Sequence, residues 1–380
     1  MLLADLDLFE FPLECLKVFH ENKSILSITR DFSLQFFATR YMQQKESEQS
    51  PKADDKKDNK AKAAPPPTDK KQTLAQVLTG ATEPLPDSAV LVDHTRLKYM
   101  IDPFCEASAA LPAEVTPIGS FKKLTQTYAP QAGKWTGVGV DHFPSLGERE
   151  RALVDASCLI FSGTERFLSY FSVSRMAALN LNECKLIIAN DLAQTTKSYS
   201  RLGKLDVERN AGELECESHL EASILLSLSG VKCVMSNQWT STLAENSDKL
   251  TGVFKEFLEG RQSSGEIIRY RVSPHLKHLL TEAKKEEESK AAAAQETKKE
   301  PKKESKKDEK KSKDSVPVAK SPARSKSPSK KYQESSQDIM SSQREADEEN
   351  KMILFQKLSA VRNENCNMVC YGLPDVFMCS

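Results

Sequence analysis

A chain of 380 residues could hold two average domains, but 28% charged against 39% hydrophobic side chains means that part of it cannot bury a core. Its charge is sorted: Lys284 to Lys331 carries 17 Lys or Arg and 9 Asp or Glu, a net +8, and Lys52 to Lys71 carries 7 and 4, a net +3. The formally neutral whole therefore consists of basic segments grafted onto a body of net −11, and no apolar run approaches the roughly 20 residues of a membrane helix.

In chain order, Leu2-Leu3-Ala4 reads as a buried strand, Leu8 to Phe11 as a second short one, and Pro12 opens a helix, where its fixed φ suits a first turn. A strand at Ile25 to Ile28 follows, and Asp31 caps a helix running through Gln43. About ninety residues on, the order recurs as strand, strand, helix, strand, helix in the sequence pattern: Val90 to Asp93, Leu97 to Ile101, Pro103 to Ala109, Val115 to Ile118 and Ser120 to Tyr128. Between the two copies, Gln44 to Lys71 is rich in Lys, Asp, Ala and Pro, with few side chains to bury, and reads as a solvated linker.

The central block alternates strand and helix. Cys158 to Phe161, Lys185 to Ala189 and Val231 to Ser236 are β-rich runs, followed by helices at Ser172 to Leu179, Glu215 to Ser227 and Ser241 to Leu258. Such alternation predicts an α/β fold with a mainly parallel sheet covered by helices on both faces, interrupted by disordered basic insertions. Thr281 to about Ser342 is the larger insertion. After it, Gln343 to Val361 shows one apolar helical face, and Met368 to Gly372 reads as a strand that completes the central sheet. The expected parts are a βα unit at 1–43, a linker at 44–72, an α/β domain at 73–280, an insertion at 281–342 and a closing helix and strand at 343–380.

In parallel sheets chemistry gathers beyond the carboxyl ends of the strands. Those positions are Ser162 to Glu165, Asn190 to Ala193 and Asn237 to Thr240. The other chemistry-bearing residues fall elsewhere. Cys184 precedes its strand, His142 reads as a loop residue, and His94 with Asp93 forms a pair without a third member. His219, His275 and His278 lack zinc-ligand spacing. Gly137-Val138-Gly139 lacks the third glycine and following helix of a phosphate cradle. The nine cysteines are scattered like buried, reduced thiols, and the Cys366 to Cys370 spacing has no matching pair. No cofactor or metal is expected. Met1-Leu2-Leu3-Ala4-Asp5 lacks the basic start of a signal peptide, so a cytosolic protein is expected, its first strand already part of something longer.

These residues carry a resemblance. Glu148 to Gly163, Leu179 to Thr195 and Leu228 to Leu258 resemble the CHAT domain, a caspase- and separase-related family associated with tetratricopeptide repeats. Gly230-Val231-Lys232-Cys233-Val234 with Trp239 is similar to its third-strand pattern, and Leu186 to Ala189 to the frame of its second. The resemblance implies a His after the first strand and a Cys after the second. Those positions fall at or beside Thr164 and Asp191, and neither Ser162 to Arg166 nor Ala189 to Ala193 contains the required residue. An inactive, degenerate CHAT-like domain is therefore expected, with a divergent cysteine peptidase as the alternative.

Further motifs, among them Glu10-Phe11-Pro12-Leu13-Glu14, Arg30-Asp31-Phe32-Ser33-Leu34-Gln35, Lys134-Trp135-Thr136-Gly137, Glu165 to Leu168 and Leu225 to Gly230 ahead of Asn237-Gln238-Trp239, resemble the C-terminal region of the large cilia- and flagella-associated tetratricopeptide proteins of the axonemal central pair. That resemblance implies a structural subunit of the central apparatus supporting ciliary movement, located in the cytoskeleton of the cilium and partnered by other projection proteins. Lys298 to Lys331 could instead dock on acidic tubulin tails, making the chain a microtubule-binding linker. With no aromatic residues among its lysines, it is poorly suited to stacking on nucleic-acid bases. Ser321 and Ser327, each in a Ser-Pro-x-basic context, are candidate phosphorylation sites whose charge would offset much of the +8.

Overall fold

A computed structural model describes residues 1–49, 85–86, 89–107, 112–138, 142–169, 171–191, 193, 195–275 and 366–378. Residues 44–49 of the expected linker are helical, continuing the helix that was expected to end at Gln43; the rest of the linker, the basic insertion, the expected helix at Gln343 to Val361, His278, Ser321 and Ser327 lie outside the described residues.

Six strands form the main sheet in the order β3-β2-β4-β5-β6-β7: β2 (Leu97–Ile101), β3 (Thr136–Val138), β4 (Cys158–Ser162), β5 (Leu186–Asn190), β6 (Cys233–Asn237) and β7 (Met368–Gly372). The first five run parallel, and β7 closes the row antiparallel to β6, with Met235 opposite Cys370. β4, β5 and β6 are buried along their whole length, as expected of parallel strands covered on both sides. A separate parallel pair joins β1 (Val90–Val92) to β8 (Val376–Met378).

Alternation along each strand sorts its side chains between two layers. Cys158, Ile160, Leu186, Ile188, Cys233 and Met235 enter one cluster. It is filled by Phe121 and Leu124 of α3 (Pro117–Thr127), Leu250, Val253, Phe254 and Phe257 of α8 (Leu243–Leu258), and Ile267 and Ile268 of α9 (Ser264–Val272). Leu159, Phe161, Ile187, Ala189 and Val234 face the other side. There they meet Leu153 of α4 (Leu146–Asp155), Met176 of α5 (Val173–Ala178) and Leu226 of α7 (His219–Leu228). The result is a three-layer α/β domain with a mainly parallel sheet, as the sequence indicates. Capping boxes start α4, α8 and α9, where Ser145, Thr242 and Ser263 exchange hydrogen bonds with the Glu three residues on.

The first thirty residues differ from the sequence expectation. In place of two strands and a helix at Pro12 there are 3₁₀ turns at Leu6–Glu10 and Leu13–Cys15 and one helical turn, α1 (Lys17–Glu21). Neither Leu2 to Ala4 nor Ile25 to Ile28 forms a strand, so the proposed repeat of the later βα order is absent. Arg30 organises this region. Its backbone makes single parallel bridges to Leu2 and to Tyr371 of β7. Its guanidinium, fully buried, donates to Glu14 (Nε to Oε1 2.6 Å) and to the carbonyl oxygens of Phe9 and Phe11. Those ties hold residues 9–14 in turns, because a strand would carry their carbonyls away from the cation. α2 (Leu34–Gln49) then starts with Ser33 accepting from the Phe36 N–H, whereas the Asp31 carboxylate is engaged by the Phe32 N–H and Arg40.

Other differences have local causes. Pro103 to Ala107 is a turn: Asp102 and Cys105 have φ of 42° and 51°, and the Asp102 carboxylate accepts from the N–H groups of Glu106 and Ala107. Val115 to Ile118 spans a 3₁₀ turn and the start of α3, because Thr116 caps Gly119 and Pro117 takes the first helical position. Cys15 and Cys366 form a disulfide with Cα atoms 6.3 Å apart, correcting the expectation of scattered thiols for this pair. Gly372 has a φ of +112°, and a Cβ there would collide with the Lys232 carbonyl oxygen across the β6–β7 ladder.

Candidate functional site

The carboxyl ends of β4, β5 and β6 converge on a polar region roofed by α6 (Thr196–Val207), a helix the sequence reading did not assign. Its cap was legible: Thr195 and Ser198 exchange hydrogen bonds as a capping box. Of its 12 residues, Ser198 alone is buried, so the helix has little apolar attachment. It is held by charge. Arg201 grips Glu106 with Nε on Oε1 at 2.8 Å and Nη2 on Oε2 at 3.0 Å, and Asp206 receives both terminal nitrogens of Arg166. Arg166 is itself fixed on Glu217.

Thr164, at the position of the expected base, is buried and donates to Glu106 Oε2 at 2.5 Å. The Arg201 guanidinium lies 3.6 Å from the ring centroid of Phe104, next to this carboxylate. Burial works against ionisation of Glu106, but the hydrogen bonds of Arg201 and Thr164 outweigh it and lower its pKa. Glu165 is the reverse case. Neither carboxylate oxygen has a hydrogen-bond partner, and burial raises the acid to about 7.

Asp191, at the position of the expected nucleophile, accepts the Phe167 N–H on Oδ2 at 3.1 Å and leaves Oδ1 without a partner. Burial lifts its pKa to about 7, and the Phe167 contact only partly opposes the rise. Its carbonyl oxygen receives the amides of Asn237 and Asn246, at 2.8 and 3.1 Å. Buried Lys249 donates to Asn237 Oδ1 (3.1 Å) and Ser241 Oγ (2.9 Å). The sequence did not single out Glu106, Arg201, Asn246 or Lys249. Glu106 and Arg201 are 95 positions apart, and no local pattern joins them.

The remaining candidates are dispersed. Cys184 is fully buried beside the amino end of β5, with Sγ 3.8 Å from the Leu186 carbonyl oxygen, and burial raises its thiol to about 12. His142 Nε2 lies 3.0 Å from Glu148 Oε1. Asp93 serves the Thr95 N–H and hydroxyl, and so does not orient His94. His219 packs 6.3 Å from Tyr371, and burial with Arg30 nearby lowers its imidazole to about 4. His275 is exposed after α9. Gly137 pairs with Tyr99 in the β2–β3 ladder, a strand position in place of a loop. Cys105, unremarked in the sequence, is exposed in the loop after β2. Among the described residues no cluster of three or more His, Cys, Asp or Glu is arranged to hold a metal ion, and no helix is long and apolar enough to cross a membrane.

Fold and site together define a parallel-sheet α/β domain whose strand-end positions carry a threonine and two buried acids beneath a salt-bridged helix. No family model matches the chain. Among solved structures it is similar to separase in the Saccharomyces cerevisiae separase–securin complex, at a TM-score of 0.41 and 14% identity, over 72% of this chain and 14% of that one. The chain thus spans about one seventh of the length of that protein.

Proposed function

We propose that this chain is a non-catalytic binding module that works as a structural subunit of a ciliary assembly. The observation that carries the non-catalytic part is the state of the two strand ends. Thr164 is committed to Glu106 beneath Arg201, and Asp191 is buried against the Phe167 N–H. Cysteine-peptidase chemistry needs a thiol whose proton a neighbouring imidazole removes, and a substrate carbonyl must reach that thiol. Here the first position bears a hydroxyl turned to a carboxylate, the second bears an acid, and α6 roofs the first. The assembly part rests on the sequence motifs, which resemble the C-terminal region of cilia- and flagella-associated protein 46 of the axonemal central pair.

High-salt extraction of isolated axonemes tests this reading. The chain should co-purify with central-apparatus projections, and recovery from the soluble cytosol alone would overturn the assignment. Labelling of the purified protein by a thiol-directed peptidase probe, lost on Cys184→Ala or His142→Ala, would instead favour a divergent peptidase. Deletion of Lys298 to Lys331 separates the third reading: a microtubule-binding linker would lose co-sedimentation with microtubules at low salt.

A further inference from the structure

On the side of the molecule away from α6, a groove of about 480 Å³ runs between α2 and the loops at the amino ends of β5 and β6. Its volume falls in the roughly 300–1,000 Å³ range of ligand pockets. Gln35, Thr39 and Gln43 of α2 line one wall, and Asn180, Asn182 and Ser229 the other, so both walls offer amide and hydroxyl groups suited to a peptide backbone. Phe36 and Leu228, the latter 68% exposed, add apolar surface.

The charge beneath this groove is unbalanced. Arg40, which also lines it, is 3% exposed and pairs through Nη1 with Asp31 at 3.1 Å, while Nε and Nη2 have no hydrogen-bond partner. Lys232, 6% exposed, donates to Gln43 Oε1 at 2.9 Å. Burial, then the repulsion of Arg40 and Lys185, lowers the Lys232 pKa. Arg40 thus has one carboxylate partner, Asp31, and Lys232 is held only by a neutral amide among the contacts described. Burying charge without a counterion is costly, and a guanidinium with two idle donors matches a carboxylate in shape and charge.

We propose that this groove binds an extended acidic peptide of a partner protein, with one carboxylate seated toward Arg40 and the peptide backbone against the amide-lined walls. Charge complementarity selects this occupant: a cationic peptide would add to the excess positive charge, and an apolar one would leave it uncompensated. The site lies apart from the strand-end region and does not depend on the axonemal assignment.

Fluorescence polarisation on the full chain tests it, with a labelled octapeptide of alternating Glu and Ser and an isosteric control of alternating Gln and Ser. The Glu peptide should bind at least about tenfold more tightly at low salt, and the difference should shrink as salt rises. Arg40→Gln should abolish the difference. Because Arg40 also pairs with Asp31, Thr39→Glu on the exposed wall supplies a variant that leaves the core untouched and should weaken the Glu peptide several-fold. Equal binding of the two peptides, binding of neither, or indifference to both substitutions would overturn the proposal. Those outcomes are read on purified protein and leave the axonemal co-purification result unaffected.

Discussion

Glu165→Gln isolates the energetic cost of a buried acid at the strand ends. In the folded chain burial raises Glu165 from 4.5 to about 7, a shift of about 2.5 units, or about 3 kcal/mol at about 1.36 kcal/mol per unit. The sign follows from proton uptake. Between about pH 4.5 and about pH 7 the folded protein holds a proton that the unfolded chain has released, so this group's contribution is fully present below its unfolded pKa and is lost as pH rises through about 7. A glutamine has no proton to lose. Urea denaturation followed by circular dichroism should therefore give variant and parent similar stabilities near pH 4.5, with the variant pulling ahead by about 2–3 kcal/mol near pH 8. Other titrating groups cancel in the difference between the two proteins. A difference that stays flat across this interval would refute the claim that burial outweighs the opposing pull of Arg201 and Arg149 on Glu165. Asp191→Asn should behave alike, its acid also raised to about 7, with the new amide oxygen taking over the Phe167 N–H.

Three further outcomes are expected. Arg30→Ala should cost about 3–5 kcal/mol in chemical denaturation, because it strands Glu14 as a buried, unpaired carboxylate, and Glu14→Leu combined with Arg30→Met should recover most of that loss. Gly372→Ala should lower stability by about 3 kcal/mol or more, measured by the shift in urea midpoint, since the left-handed backbone and the Lys232 carbonyl both oppose a side chain. Arg201→Gln should raise the rate of tryptic cleavage at Lys197 and Lys204 within α6 without shifting the global melting temperature by more than about 2 °C, and added salt should reproduce the effect in the parent chain.

The central sheet was legible because buried parallel strands leave uninterrupted apolar runs, and Cys158, Leu186 and Cys233 begin their strands within two residues of the expected starts. Short elements were not. Thr136–Val138 has three residues and no apolar run, and it is a strand because it pairs with Lys98 to Met100, where the absence of a Cβ at Gly137 leaves room for the Tyr99 backbone. The N-terminal segment misled for a related reason. Leu8 and Ile25 lie in β-like patterns, yet buried arginines distant in sequence bind the backbone there, Arg30 at Phe9 and Phe11 and Arg269 at Ile25. At the strand ends the positions themselves were readable, and their surroundings were not. Glu106 and Arg201 come from loops and helices whose meeting is set by tertiary packing, which leaves no periodic trace in either segment.

The pairing of β1 with β8, and of Arg30 with Tyr371, has a consequence for the order in which the chain can be assembled. Both early segments find their backbone partners within the stretch 366–378, so during synthesis they must wait for more than two hundred intervening residues to emerge. The α/β interior can gather around β2 to β6 beforehand, while the beginning and the end of the molecule settle together as its last act. Removing residues 366–378 would therefore undo the structure around Arg30 and at Val90–Val92 at once.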